Sequence, residues 1–203
     1  VDELFARFED WGAAGVKPGF MMEGNQEYEA RNEEMIEAAA RHHLVLTIHD
    51  EYVTSGIERT YPNLLTTEGI LGDEGIKGGQ IAEDISTLFT RDIQGPTDHT
   101  FCYPGKATKG YALASSLLFR TGMHSLYWYG NPTTIPQIPE QERQFWKNLP
   151  SNWDELRVLE ASMSEYATYA RKTRDKGEWY VGSVSAIERE MQLPLSFLTE
   201  GQT

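Results

Sequence analysis

The run Thr47-Ile48-His49-Asp50-Glu51, followed by Glu58-Arg59-Thr60-Tyr61-Pro62-Asn63 and then by Glu68 and Glu74, gathers carboxylates, an imidazole and a guanidinium into one turn-rich stretch. Carboxylates held close together can divide proton donation and proton acceptance between them, because their surroundings push their proton affinities apart. Just before the stretch lies Leu44-Val45-Leu46-Thr47-Ile48, short, apolar and rich in β-branched residues, which predicts a buried parallel strand. Polar and acidic residues immediately past the C-terminal end of such a strand are where a barrel enzyme keeps its chemistry. A second polar loop, Gly95-Pro96-Thr97-Asp98-His99, is expected on the same rim and makes Asp98 and His99 candidate substrate contacts.

The elements that must position these residues alternate. Leu4, Phe5, Phe8 and Trp11 repeat at helical spacing over Asp2 to Trp11, and Gly12 ends that helix. Gly15 to Met21 reads as a short strand, weakened by Pro18 and Gly19 inside it. Asn25 to His43 is an amphipathic helix with Tyr28, Met35, Ile36 and Ala39 on one face, and the strand Leu44 to Ile48 follows. Helices are expected at Ile81 to Phe89, Lys106 to Arg120 and Pro139 to Asn148, and a strand at His124 to Trp128. This βαβ rhythm calls for a parallel sheet or barrel. From Trp153 the texture becomes alternating, through Arg157-Val158-Leu159, Tyr166 to Arg171, Trp179 to Val184 and Met191 to Leu195, with a hairpin turn at Asp175-Lys176-Gly177. The fold class is therefore α/β, a partial (β/α)8 barrel over residues 1–152 followed by a small antiparallel β-domain over 153–203. Residues 1–152 fall short of the roughly 250 that a full barrel takes, so a fragment is expected.

Composition excludes some partners. Eighteen basic residues against thirty-one acidic ones give a formal charge of −13, with no Lys/Arg cluster for phosphates, which argues against nucleic acid and anionic membrane surfaces. No stretch approaches the roughly 20 apolar residues of a membrane span. The single cysteine, Cys102, forbids an intrachain disulfide and reads as a small buried hydrophobe. Tyr127-Trp128-Tyr129 could stack on a sugar, although core packing is the commoner use. His42-His43 closes a helix, where cations suit the dipole. The chain begins at Val1 with neither methionine nor signal peptide, as a mature terminus or a truncated reading frame would.

His49-Asp50, Gly56 to Leu64, Glu68-Gly69 and Gly72-Asp73-Glu74 together resemble glycoside hydrolase family 97, the α-glucosidases and α-galactosidases. The likeness continues at Phe89 to Asp98, at Trp153 to Leu159 and at Gly177 to Gly182, in order and over most of the chain. The resemblance implies the second half of a TIM barrel and the start of a closing β-domain, with the N-terminal half of the polypeptide as the missing partner. It implies Glu74 as general acid, and Asp50, Glu68 and Glu74 as carboxylates linked to Ca2+, with His49 touching substrate hydroxyls. Ca2+ takes six to eight oxygens, more than three carboxylates supply. Retaining members carry an aspartate nucleophile in a segment matching Val16-Lys17-Pro18-Gly19-Phe20, where this chain has Gly19. That implies the inverting branch, with Asp50 as one base, in a position where inverting members usually carry glutamate. Without a nucleophile about 5 Å from the acid, only water held between carboxylates roughly 6.5–9.5 Å apart can attack. The expectation is thus an inverting, Ca2+-assisted hydrolase of α-glucosides or an oligosaccharide containing them, periplasmic or secreted from a bacterium. An α-galactosidase, or a non-catalytic chain that binds carbohydrate, stays open beside it.

Overall fold

The computed structural model describes residues 1–20, 24–53, 55–75, 80–101, 108–126 and 138–199. Cys102 and Tyr127-Trp128-Tyr129 lie outside the described residues. Helix α1, Asp2–Asp10, buries Phe5, and Gly12 turns the chain at φ +77°. Strand β1 is only Gly15–Val16, shorter than its sequence suggests, because Pro18 has no N–H to give a sheet ladder. Helix α2, Gln26–Arg41, is started by Asn25, whose side-chain oxygen accepts from the Glu27 and Tyr28 amides, both at 3.0 Å. Strand β2, Val45–Ile48, follows, and β3, Leu64–Thr67, lies inside the stretch that reads as loop in the sequence. The three strands form an open parallel sheet in the order β1-β2-β3.

One core lies between α2 and this sheet. Met35, Ile36, Ala38 and Ala39 of the helix meet Leu44, Leu46, Ile48 and Leu64, with Phe5 of α1 at the edge. The two alanines bring helix and sheet close, and each fully buried Leu or Ile contributes roughly 1.5–3 kcal/mol. The turn closing α2 places His43 at φ +55°.

The chain continues as α3, Gln80–Phe89, and α4, Arg91–Gln94, then α5, Lys109–Leu118, capped by Thr108, and α6, Glu140–Asn148. Two isolated parallel bridges, Thr67 to Thr97 and Phe101 to Leu126, extend the sheet's direction beyond β3. The strand expected at His124 to Trp128 is represented by that bridge at Leu126, and residues 127–128 are outside the described set.

Strands β4, Trp153–Ser162, β5, Tyr166–Thr173, and β6, Trp179–Ser185, make a separate antiparallel sheet in chain order. Gly177 at φ +69° lies in the turn before β6. Met191 to Leu195 forms no strand: Met191 takes weak hydrogen bonds from the Thr168 and Ser183 hydroxyls at 3.5 and 3.4 Å, and Phe197 packs on Trp179. A second core joins this sheet to the helices, with Ile85 and Leu88 of α3 and Leu117 and Leu118 of α5 against Ala167, Tyr169 and Val184. Gly182 lets α5 approach, since a Cβ there would lie 2.8 Å from the Ala114 carbonyl oxygen. The buried Arg171 guanidinium donates to the carbonyls of Leu118 and Phe119 at 2.8 and 3.5 Å, a cation closing the C-terminus of α5. Burial pushes its pKa down to about 10.

The fold is thus mixed α/β, with an open parallel sheet and an antiparallel one, and a closed ring of strands is not among the described residues. No helix among them is long and apolar enough to cross a membrane.

Candidate active site

Four residues occupy equivalent places. Lys17 follows β1, His49 follows β2, Glu68 follows β3, and Asp98 follows the bridged Thr97. Backbone bonds hold them in line: the His49 amide to the Pro18 carbonyl at 3.0 Å, the Glu68 amide to Ile48 at 2.9 Å, and the Asp98 amide to Thr67 at 2.9 Å. Parallel strands bring their C-terminal ends to one edge, so residues far apart in the chain share one rim.

On that rim His49 is the hub. Its Nδ1 lies 2.6 Å from Glu68 Oε2, and its Nε2 lies 3.0 Å from Glu74 Oε1 and 3.7 Å from Asp50 Oδ1. His49 and Glu68 are buried, whereas the Asp50 and Glu74 side chains keep 29% and 30% of their surface exposed. The buried pair fixes the geometry, and the open pair is what a ligand can reach. Burial alone would lower the His49 pKa, but Glu68, with help from Glu74, outweighs it and holds the imidazolium above its usual range.

Local backbone sets the carboxylates. Asp50 sits at φ +64°, in the left-handed region that Asp tolerates better than most residues. There its amide donates to Glu68 Oε2 at 2.5 Å, its carbonyl accepts from the Gly69 amide at 2.9 Å, and its carboxylate accepts from the Phe20 amide. Glu74 rides on a short 3-10 turn, Asp73–Gly75. Donor atoms of His49, Asp50 and Glu68 lie within 4.8 Å of one another, and Glu74 joins them through His49. The carboxylates suit a hard divalent cation such as Ca2+, provided water or substrate adds oxygens, while the His49 nitrogen does not.

The other two expected contacts lie behind the rim. Asp98 is fully buried, with Lys17 Nζ at 2.6 Å and Ser125 Oγ at 3.4 Å from its Oδ2. His99 is also fully buried, its Nε2 3.0 Å from Asp84 Oδ2, between the rings of Phe101 and Phe119. Tyr111 donates to the same Asp84 carboxylate. Burial alone would lower the His99 pKa, yet the carboxylates around it, Asp84 first, raise it. Neither residue offers surface to a ligand in this structure.

Gly19 stands at the site. A Cβ there would point into the cluster, 3.6 Å from Asp50 Oδ2 and 3.7 Å from His49 Cδ2. The sequence signal missed Lys17, although a lysine between strand and proline is unusual in an apolar run. It also missed Arg91, whose guanidinium donates to Thr67 and to the Gly95 and Pro96 carbonyls and so ties the second loop to β3.

Acidic residues and a histidine gathered at the C-terminal ends of parallel strands mark this as an α/β protein with a polar site on the rim of its parallel sheet. Sequence profiles sharpen this, since that of glycoside hydrolase 97 matches residues 1–70, and that of the glycosyl-hydrolase 97 C-terminal, oligomerisation domain matches residues 152–203. A probable retaining alpha-galactosidase of Streptomyces bingchenggensis is 34% identical over 91% of this chain and 29% of its own length. A retaining alpha-galactosidase of Bacteroides thetaiotaomicron is 30% identical over 98% of this chain and 32% of its own. A beta-arabinopyranosidase structure superposes with a TM-score of 0.75 at 23% identity, over 91% of this chain and 32% of that one. A glycoside hydrolase family 97 enzyme of Pseudoalteromonas sp. strain K8 in complex with acarbose superposes at 0.70, with 21% identity, over 91% and 33%. The chain belongs to glycoside hydrolase family 97, and it spans about a third of the length of the curated relatives it matches.

Proposed function

We propose that this chain carries the acid/base part of a site that hydrolyses α-glycosides, within a segment of a (β/α)8 barrel followed by a small antiparallel β-domain. The observation that supports it most is the convergence of Asp50 and Glu74 on one nitrogen of buried His49, with both carboxylates open to a ligand. Glu74 gives its proton to the departing glycosidic oxygen, and Asp50 takes a proton from the attacking water. A second base comes from the part of the polypeptide upstream of this chain. His49 tethers the two carboxylates through its Nε2 and faces the substrate hydroxyls. Asp98 and His99 serve the substrate from behind, by fixing the rim.

Gly19 supports direct attack by water. A nucleophile at that position would reach the cluster, and glycine offers none, so the reaction inverts the anomeric centre. Asp50, Glu68 and Glu74 are the residues that would hold Ca2+, which would supply positive charge at the site when bound. The expected substrate is an α-glucoside. The names of the two curated relatives favour an α-galactoside as a second reading, with their retaining chemistry lost at Gly19.

The test is hydrolysis of nitrophenyl α-glucoside and nitrophenyl α-galactoside, with the first-formed anomer followed by proton NMR. Release of the β-anomer supports inversion, and release of the α-anomer overturns it. A folded chain that binds sugar without hydrolysing either substrate would point instead to the non-catalytic reading.

A further inference from the structure

Thr100 is fully buried, and it adopts φ +54°. For a β-branched side chain this left-handed backbone is a strained outlier, of the kind that persists only where neighbours over-determine it. The neighbours here are specific. The Asp98 carboxylate accepts from the Thr100 amide through Oδ1 at 3.2 Å, while its Oδ2 is held by Lys17 at 2.6 Å. Arg91 fixes the same loop through the Gly95 carbonyl and the Thr97 hydroxyl, at 3.2 and 3.3 Å. The strained turn aims the Thr100 hydroxyl at Glu68 Oε1, 3.2 Å away. Gly72 makes room for it: a Cβ there would meet Thr100 Oγ1 at 2.7 Å and Glu68 Oε1 at 3.2 Å.

The two oxygens of Glu68 are therefore shared out. Oε2 faces His49 Nδ1 and accepts from the Asp50 amide, and Oε1 accepts from Thr100. Glu68 can orient His49 and Asp50 only while its own rotation is stopped, and Thr100 supplies the hydrogen bond on its far side. Side chains whose rotamers are locked by such supporting bonds are what keep a reacting constellation within tolerance.

We propose that Thr100 is a positioning residue: its hydroxyl locks the Glu68 carboxylate, which in turn sets His49 and Asp50 at the rim. Its bearing on catalysis rests on the glycosidase reading above, whereas the lock itself does not.

Thr100→Val and Thr100→Ser separate the hydroxyl from the shape. Valine keeps the branching and the backbone preference and loses the hydrogen bond; serine keeps the bond and loses the methyl. Hydrogen exchange of the Asp50 amide, the donor to Glu68, reports the lock directly, and the Ala170 amide in central strand β5 reports global stability in the same sample. The expected result is that Thr100→Val speeds Asp50 exchange at least tenfold relative to Ala170, and that Thr100→Ser returns it to within about twofold of the parent chain. If the parent hydrolyses nitrophenyl α-glycosides, kcat falls in the valine variant, while KM holds and serine restores the rate. Unchanged Asp50 exchange in the valine variant would overturn the proposal, as would equal acceleration in both variants. An inactive parent chain counts against the glycosidase reading alone, since the exchange comparison still decides the lock.

Discussion

At the scale of residues, the chemistry depends on a few side chains whose positions are set by backbone that other residues could not adopt. Gly72, at φ +55°, passes so close to Thr100, the His99 carbonyl and Glu68 that any side chain would collide with the groups that brace the rim. Gly72→Ala is expected to cost about 1–3 kcal/mol through strain at a left-handed position, read as a lower urea midpoint at unchanged slope. His49, Asp50, Glu68 and Glu74 were legible in the sequence because they sit in one motif-bearing stretch directly past an apolar run. Lys17 and Thr100 were not, because their meaning is tertiary. Lys17 meets Asp98 across 81 positions of chain, and the left-handed turn at Thr100 is braced by that same Asp98 in a loop that Arg91 ties down. Asp98 and His99 carried the right signal of polarity near a rim, but polarity could not tell an open side chain from one that is buried and paired.

At the scale of elements, apolar periodicity identified the longer helices, while the single turn α4 went unread. The apolar spacing of Tyr28, Met35, Ile36 and Ala39 placed α2 to within two residues of its observed ends. Short strands were harder. Leu64-Leu65-Thr66-Thr67 shows no alternation and follows a proline, so β3 read as loop, although it is the strand that delivers Glu68. β1 was expected to run through Met21 and stops at Val16, for want of a donor at Pro18. The join between α5 and the antiparallel sheet was not visible in sequence at all, since Arg171 looks like an ordinary strand residue. Its guanidinium satisfies two carbonyls at the end of α5 that have no helical partner. Arg171→Met fills the same space without those donors, and is expected to destabilise the chain by about 1–3 kcal/mol for the buried carbonyls it leaves unpaired. Equilibrium denaturation checks this, and a change below about 0.5 kcal/mol would mean that the arginine is dispensable there.

At the scale of the whole molecule, acidic charge and buried histidines govern the response to pH. His99 has a raised pKa in the folded chain, so the fold binds its proton more tightly than the unfolded chain does. Its contribution to stability is fully present below the unfolded value near 6.5, and is lost as pH rises through the folded value. The Asp84 carboxylate is the main cause of the rise. The loss of melting temperature on Asp84→Asn should therefore be larger at pH 5.5 than at pH 9, and an equal loss at both would contradict a protonated His99. His124 acts in the opposite sense. Burial depresses it to about 4, so its stabilising effect is present above about 6.5 and is lost as pH falls toward 4.

The rim carboxylates of this chain are proposed to do acid/base chemistry on a glycoside. The most direct measurement is the rate of nitrophenyl α-glycoside hydrolysis by the chain and by Glu74→Gln, each with added Ca2+ and with chelator. The expected result is a Ca2+-dependent rate that falls about 10²–10⁴-fold in the variant, the range that one positioned proton donor supplies. A Glu74→Gln chain as active as the parent with Ca2+ present would contradict that reading.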